Sequence, residues 1–236
     1  MSSNNFKFGI LLQGLVNRST IDIINEYKNN FPSTHILLST WNTENTNDIP
    51  CEVVKSESPP LVCLPNRPKI SIDNQIVGTL AGLKKIKGDI IMKCRTEQFI
   101  HNEKIFQIYE NCCPKNKIMV PDLGTYEDLV RTSDYCQVAT KELLLEYWNS
   151  IPLFDEYHRI LKKKPGSLYM DGGSYFTQNY ILRGKKDKRP WKIILREYFC
   201  VKSYHHDFQI EWEKLNNNLD YQETYYRNFP FRSKTD

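Results

Sequence analysis

The stretch "FKFGILLQGLVNRSTIDIINEYKNNFPSTHILLSTW", Phe6 to Trp41, decides the fold class. Its first nine residues are an apolar run closed by Gly14, which reads as a buried strand ending in a turn. "STIDIINEYKNNFP" has the spacing of a helix. Ser19 can cap it, Asp22 follows three residues on, and Pro32 stops it. "THILLSTW" (Thr34 to Trp41) is a second buried strand. Strand, helix, strand with continuous apolar strands is the signature of a parallel sheet with crossover connections.

The rest of the chain extends this pattern. "CEVV" (Cys51 to Val54) is a short third strand, and Glu57 to Lys69 is a proline-rich loop. "SIDNQIVGTLAGLKKIK" places Ile72, Ile76, Leu80, Leu83 and Ile86 on one helical face. Gly88 ends that helix, and "GDIIMKCRTEQ" follows as a strand with a charged exit: Lys93, Arg95 and Glu97 stand at alternate positions, on one side of an extended chain. "HNEKIFQIYENC" reads as a helix and "KIMVPD" (Lys117 to Asp122) as a strand. "SDYCQVATKELLLEYWNS" reads as a short extended piece leading into a helix capped near Thr140. "LYMDGGSYFTQNYIL" is a glycine turn into a helix, "WKIILREYFCVKS" (Trp191 to Ser203) a late strand, and the tail after His205 is irregular. No interior linker divides the 236 residues. The expectation is one α/β domain over 1–236, with a Rossmann-type, mostly parallel central sheet flanked by helices.

Composition narrows the function classes. Hydrophobic residues make up 40 % and charged residues 25 %, enough for a real core. A net charge of +4 is too mild for a nucleic-acid partner but tolerates an anionic ligand. The seven cysteines are scattered and contain no CxxC pair, so they read as buried free thiols in a reducing compartment. No apolar run approaches bilayer length and the N-terminus lacks a charged n-region, so a soluble, cytoplasmic protein is expected.

Ligands of open α/β sheets bind beyond the carboxyl ends of the strands. The polar strand exits are therefore the candidate site: Gln13 and Gly14, Ser39 to Trp41, Lys93 to Glu97, and Pro121 with Asp122. Gly14 lets the backbone approach a ligand, but neither the dinucleotide nor the P-loop glycine spacing is present. Trp41 can stack on a base or sugar, or cover the sheet end. Lys93, Arg95 and Glu97 can serve a phosphate or form a surface ion-pair cluster.

Taken in order, "HILLSTWNTE", "NQIVGTLAGLKKIKGDIIMKCRTE" and "SDYCQVATKELL" resemble the successive blocks of the WavE family of lipopolysaccharide-synthesis glycosyltransferases. The resemblance covers Phe8 to Trp148, and more weakly the remainder. It implies a GT-A-like glycosyltransferase, with a nucleotide-sugar half over about 1–122 and an acceptor half over about 123–236. It also implies that Arg95-Thr96-Glu97 stands where such enzymes carry an acidic metal motif. Glu97 would then bind Mn²⁺ or Mg²⁺ bridged to the donor diphosphate, with Arg95 and Lys93 on phosphate and Asn74 and Gln75 touching the donor. His205 would be a C-terminal metal ligand, or else one of a solvated pair with His206. The sequence departs from the family pattern at Glu97, where an Asp is usual, and in the helix, where the family's Asn-Arg-Gln reads Asp73-Asn74-Gln75 and the Arg is missing. For the base, Gln178 is neutral where an acid is expected, leaving Asp171 and Asp134 as candidates. Asp171 also reads as a plain helix cap. The basic runs "LKKKPGS" and "RGKKDKRP" are solvated loops, or contacts to diphosphate, a lipid-linked acceptor or the membrane surface. Other readings to separate from a transferase of sugars onto a glycan or lipid-linked acceptor are a nucleotidyl- or phosphotransferase on a related sheet, and a non-catalytic nucleotide- or glycan-binding homologue.

Overall fold

The computed structural model describes residues 6–60, 71–154 and 172–212. Within them, Phe8–Gln13 (β1), Thr34–Trp41 (β2), Glu52–Ser56 (β3), Ile90–Arg95 (β4), Ile118–Pro121 (β6), Gln137–Thr140 (β7) and Phe199–Lys202 (β8) form one sheet of order β3-β2-β1-β4-β7-β6-β8. The pairs β3–β2, β2–β1, β1–β4 and β6–β8 are parallel, whereas β7 is antiparallel to both neighbours. Gln98–Ile100 (β5) and Ile210–Trp212 (β9) make a separate antiparallel pair. The helices are Thr20–Asn30 (α1), Ile72–Lys85 (α2), Ile105–Cys112 (α3), Lys141–Asn149 (α4), Gly172–Asn179 (α5) and Trp191–Tyr198 (α6).

The apolar runs account for this layering. Ile10, Leu11, Leu12, Leu37, Leu38, Ile91 and Met92 are fully buried, as consecutive residues must be in strands covered on both faces. Each such side chain contributes about 1.5–3 kcal/mol on leaving water. Helix α2 buries Ile72, Ile76 and Leu83 against the sheet, with Ile86 beyond its end and Leu80 half-covered, the face expected from its spacing. Thr140 caps α4, its hydroxyl accepting from the Leu143 N–H at 3.3 Å. Strands from either side of residue 122 share the sheet, because β7 is wedged between β4 and β6.

Three expectations are corrected. Trp191 to Ser203 is not one strand: its first eight residues form α6 and only Phe199–Lys202 pairs with β6. Ile194 and Leu195 are buried while Ile193 is 48 % exposed, a one-sided helical pattern that an apolar run read as a strand conceals. The tail after His205 is regular as far as Trp212, passing through a π-helical turn (Tyr204–Phe208) into β9. Ser19 precedes α1 but makes no side-chain cap. Instead Asn17 Oδ1 accepts from the Ser19 N–H, and Thr20 Oγ1 from the Asn17 N–H, both at 2.9 Å.

Candidate active site

The chain runs from β1 outward to β3, then crosses back through α2 to β4 on the other side of β1. That reversal opens a crevice at the carboxyl ends of β1 and β4, the place where open α/β sheets take ligands. In register, Gln13 stands beside both Ser39 and Arg95, so three strand exits reach the same level. A cavity of about 360 Å³ lies there, lined by Gln13, Gly14, Trp41, Asn74, Gln75, Arg95 and Glu97, together with Leu15, Thr43, Ser58 and Ser71.

Two glycines permit this arrangement. Gly14 has φ +147°, and a Cβ there would lie 2.7 Å from Thr96 Oγ1. Gly78 of α2 lets the helix settle on the strand ends, since a Cβ would meet Gln13 Nε2 at 3.0 Å and the Trp41 ring at 3.3 Å. Trp41 is only 3 % exposed, so most of its ring covers the sheet end. Asn74 Nδ2 donates to Ser58 Oγ at 3.0 Å. The buried atoms Asn74 Oδ1, Gln75 Oε1 and Arg95 Nε have no hydrogen-bond partner among the described residues. Leaving a buried polar atom unpaired costs about 1–3 kcal/mol, so a pocket walled by such atoms suits a polar ligand.

Arg95 and Glu97 lie on a turn held from beneath. Thr20 Oγ1 donates to the Thr96 carbonyl at 3.3 Å and Asn17 Nδ2 at 3.4 Å. Arg95 Nη2 donates to Asp134 Oδ2 at 2.8 Å, and Arg95 Nη1 lies 3.8 Å from Glu97 Oε1. The guanidinium stacks within 5.3 Å of the Tyr135 ring and 5.6 Å of the Trp212 ring. β9 thus returns the late chain to the back of the site, a placement with no local sequence signal.

Lys93 and Asp134 are placed differently from expectation. Lys93 is fully buried, two residues short of the end of β4, and is not among the residues that line the cavity. Its ammonium donates to the Asp134 carbonyl at 3.0 Å and lies 5.0 Å from the Trp148 ring centre. Burial lowers its pKa to about 8, against the opposing pull of Asp134. Burial pushes the Asp134 carboxyl up, but the Arg95, Lys93 and Arg131 cations outweigh it and hold the group below its ordinary value. A buried carboxylate kept ionised by its own arginine is a poor proton acceptor. Asp134 therefore orients Arg95 in this structure, and Lys93 braces the Asp134 loop.

His205 is exposed on the π-helical turn and is not among the cavity residues. Asp171 lies outside the described residues; Gly172, which follows it, brings the start of α5 to Asp134, where a Cβ would lie 3.6 Å from Oδ2. Asp122, another strand exit, is spent on structure: its carboxylate accepts from the Tyr204 N–H at 2.8 Å. Among the described residues no three His, Cys, Asp or Glu side chains gather as a metal centre. Among the described residues that line the cavity there is one carboxylate, Glu97. That fits a magnesium-like ion, which takes one or two carboxylates and fills its shell with phosphate oxygens and water, and does not fit a metal caged by protein alone.

The WavE lipopolysaccharide-synthesis model matches residues 12–216, which include every residue of this cavity. The chain belongs to the WavE family. No curated protein sequence matches it. Among solved structures it is similar to the glycosyltransferase GlyE of Streptococcus pneumoniae TIGR4, at 8 % identity and a TM-score of 0.50. That alignment covers 95 % of this chain and 50 % of GlyE, so the WavE chain spans about half of that protein. A glycosyltransferase involved in glycosylation of the major capsid of PBCV-1 aligns at 10 % identity over 84 % of this chain and 83 % of its own, with a TM-score of 0.44. The 4-diphosphocytidyl-2C-methyl-D-erythritol synthase of Anaerococcus prevotii DSM 20548 aligns at 10 % identity over 95 % and 100 %, at 0.45. The likeness to GlyE is one of fold, and it agrees with the expected mostly parallel sheet. No helix of the described residues is long and apolar enough to cross a membrane.

Proposed function

We propose that this WavE-family chain is a nucleotide-sugar-dependent glycosyltransferase of surface-glycan synthesis. The observation that carries the reading is the convergence of Gln13, Gly14, Trp41, Asn74, Gln75, Arg95 and Glu97 on one cavity at the carboxyl ends of β1, β2 and β4. These residues come from four segments between Gln13 and Glu97, and the family match spans them all. The nucleoside would lie toward Trp41, Asn74 and Gln75, and the diphosphate toward Arg95 and Glu97. Arg95, aimed by Asp134, supplies a fixed cation to phosphate. Glu97 would hold Mn²⁺ or Mg²⁺, which when bound neutralises charge on the departing nucleoside diphosphate. Asp171 remains the proposed base for the acceptor hydroxyl. A lipid-linked acceptor would approach along "RGKKDKRP", where Lys185 is paired with Glu146 and Arg189 with Asp187 while Lys186 and Lys188 face solvent. A cytoplasmic location accords with such a donor.

A thermal-shift screen of nucleoside diphosphates, triphosphates and nucleotide-sugars, with and without Mn²⁺, tests this reading. Bound ligand raises the melting temperature by mass action. The expected result is a metal-enhanced shift by one nucleoside diphosphate and its sugar conjugates, followed by release of that diphosphate on incubation. A triphosphate consumed with release of pyrophosphate would instead establish a nucleotidyltransferase. No shift by any nucleotide would overturn the donor site.

A further inference from the structure

Away from the cavity, the positive charge of the chain is gathered in one place. Residues 182–196 carry seven Lys and Arg and a single acid, Asp187, a net charge of +6. The whole chain carries +4, so the remaining residues sum to −2. The stretch leaves the π-helical turn Tyr180–Lys185, passes through Pro190 and becomes α6. Two contacts gather it into one surface. The Tyr198 hydroxyl donates to Asp187 Oδ2 at 3.0 Å, which ties the loop to the far end of α6. The Lys185 ammonium lies 5.5 Å from both the Tyr180 and the Tyr198 ring centres.

Helix α6 is two-sided. Ile194 and Leu195 are buried and Trp191 and Tyr198 half-buried, while Lys192, Ile193, Arg196 and Glu197 face solvent. Ile193 therefore points outward with Arg196 one turn on. Among the described residues, the large hydrophobic side chains left exposed are Leu15, Leu129, Leu182 and Ile193. Leu15 lines the cavity. Leu182 and Ile193 belong to the basic stretch, and Leu129 sits on the loop whose Tyr126 carbonyl accepts from the Trp191 indole at 2.7 Å. Lys185 pairs with Glu146, Arg189 with Asp187, and Lys192 with Glu127 at 3.7 Å. Lys186, Lys188 and Arg196 are exposed and form no ion pair with any described residue. Asp128 and Glu197, exposed at the border, reduce the positive field without cancelling it.

We propose that this face, Leu182 to Arg196 with Leu129 beside it, docks the protein on the surface of an anionic lipid bilayer. The cations meet lipid phosphates, while Ile193, Leu182 and Leu129 enter the boundary between headgroups and acyl chains. A nucleic acid would engage the cations but leave those apolar side chains in water. Docking needs no sugar donor, so it does not depend on the transferase reading. Its consequence for the cavity does. β4 and β6 are both antiparallel to β7, so their carboxyl ends share an edge, and Tyr126 follows β6 at that edge. The Trp191 end of α6 therefore borders the edge that holds the cavity. Docking would keep that edge beside the bilayer, where a lipid-linked acceptor resides.

The test is co-sedimentation of the full chain with phosphatidylcholine vesicles, with and without phosphatidylglycerol, in the absence of nucleotide and metal. The expected result is binding that requires phosphatidylglycerol and falls as salt is raised. The triple variant Lys186→Gln, Lys188→Gln, Arg196→Gln should bind about ten- to a hundred-fold more weakly, at roughly five-fold per charge near the surface. Ile193→Ser should bind about three- to ten-fold more weakly, because the apolar contact is lost while the charges remain. All four side chains are exposed, so both variants should keep the wild-type Tm. No binding to the anionic vesicles, or unchanged binding by the triple variant, would overturn the docking face. Loss in the triple variant with full binding by Ile193→Ser would reduce it to a polyanion contact and overturn bilayer docking. Every outcome is read without a donor, so it stands apart from any nucleotide-sugar result.

Discussion

Replacing Asp134 by Asn removes one charge from a buried trio and leaves two cations behind. Asp134 is 4 % exposed, accepts from Arg95 at 2.8 Å and carries the carbonyl that holds Lys93. A charge pair about 4 Å apart is worth about 4 kcal/mol at an effective dielectric of about 20, and breaking a buried pair costs about 3–5 kcal/mol. Lys93 limits the loss, because its pKa of about 8 is sustained partly by Asp134 and will fall further without it. It can then shed its proton near neutrality, so the expected cost of Asp134→Asn at pH 7 is about 3–4 kcal/mol. For a chain of this size that lowers Tm by about 6–16 °C. The pH dependence carries a sign. The folded carboxyl is held below the unfolded value, so its contribution is present above about pH 4 and disappears as pH falls through the folded value. Urea unfolding of both proteins at pH 7 and toward pH 3.5 should show the gap closing in acid. Adding Arg95→Met to Asp134→Asn should recover part of the loss, since it removes the stranded guanidinium. A gap below about 1 kcal/mol that stays constant with pH would refute the claim that Asp134 holds Arg95 in a poorly solvated place.

Other expectations follow from the same geometry. For Lys93→Met, the wild-type folded pKa of about 8 lies below the ordinary lysine value of 10.5, so the unfolded chain binds more protons between those pH values. Wild-type stability should therefore rise relative to the variant by up to about 3 kcal/mol from pH 8 to 10.5; an unchanging difference in urea unfolding across that range would exclude a buried charged lysine. Gly14→Ala should cost about 1–3 kcal/mol, because it combines a positive φ with a contact to Thr96 Oγ1, and a Tm equal to wild type would contradict that turn. Glu97→Gln should leave Tm within a degree or two, since its 3.8 Å approach to Arg95 is a partly exposed pair. It should also abolish the Mn²⁺-dependent part of the nucleotide shift, and an undiminished Mn²⁺ effect would remove Glu97 as the ligand.

Much of the cavity was legible because strand exits announce themselves. Gln13, Gly14, Trp41, Arg95 and Glu97 all stand at the polar exits that close apolar strands, and Asn74 and Gln75 open a helix with clear one-sided spacing. Leu15 and Thr43, which follow two of those exits, could have been added on the same ground. Lys93 misled because it stands two residues before the strand exit, inside the sheet with β7 paired beside it at Gln137. Trp191 to Ser203 misled because an apolar run does not distinguish a short buried strand from a one-sided helix. Tyr135 and Trp212 carry no local mark of lying behind Arg95.

From the sequence alone, the α/β layering, the ends of the main strands and the family were determined, since burial patterns and local turns are written in neighbouring residues. Only the tertiary structure decided what the charges do. Arg95 and Asp134 are 39 positions apart and become partners because β7 inserts antiparallel beside β4. Cys200 comes to stand beside Met119, 81 positions earlier, because β8 pairs with β6. Such pairings depend on the order of strands in the sheet, set by the packing of the whole chain and not by the spacing of residues along it.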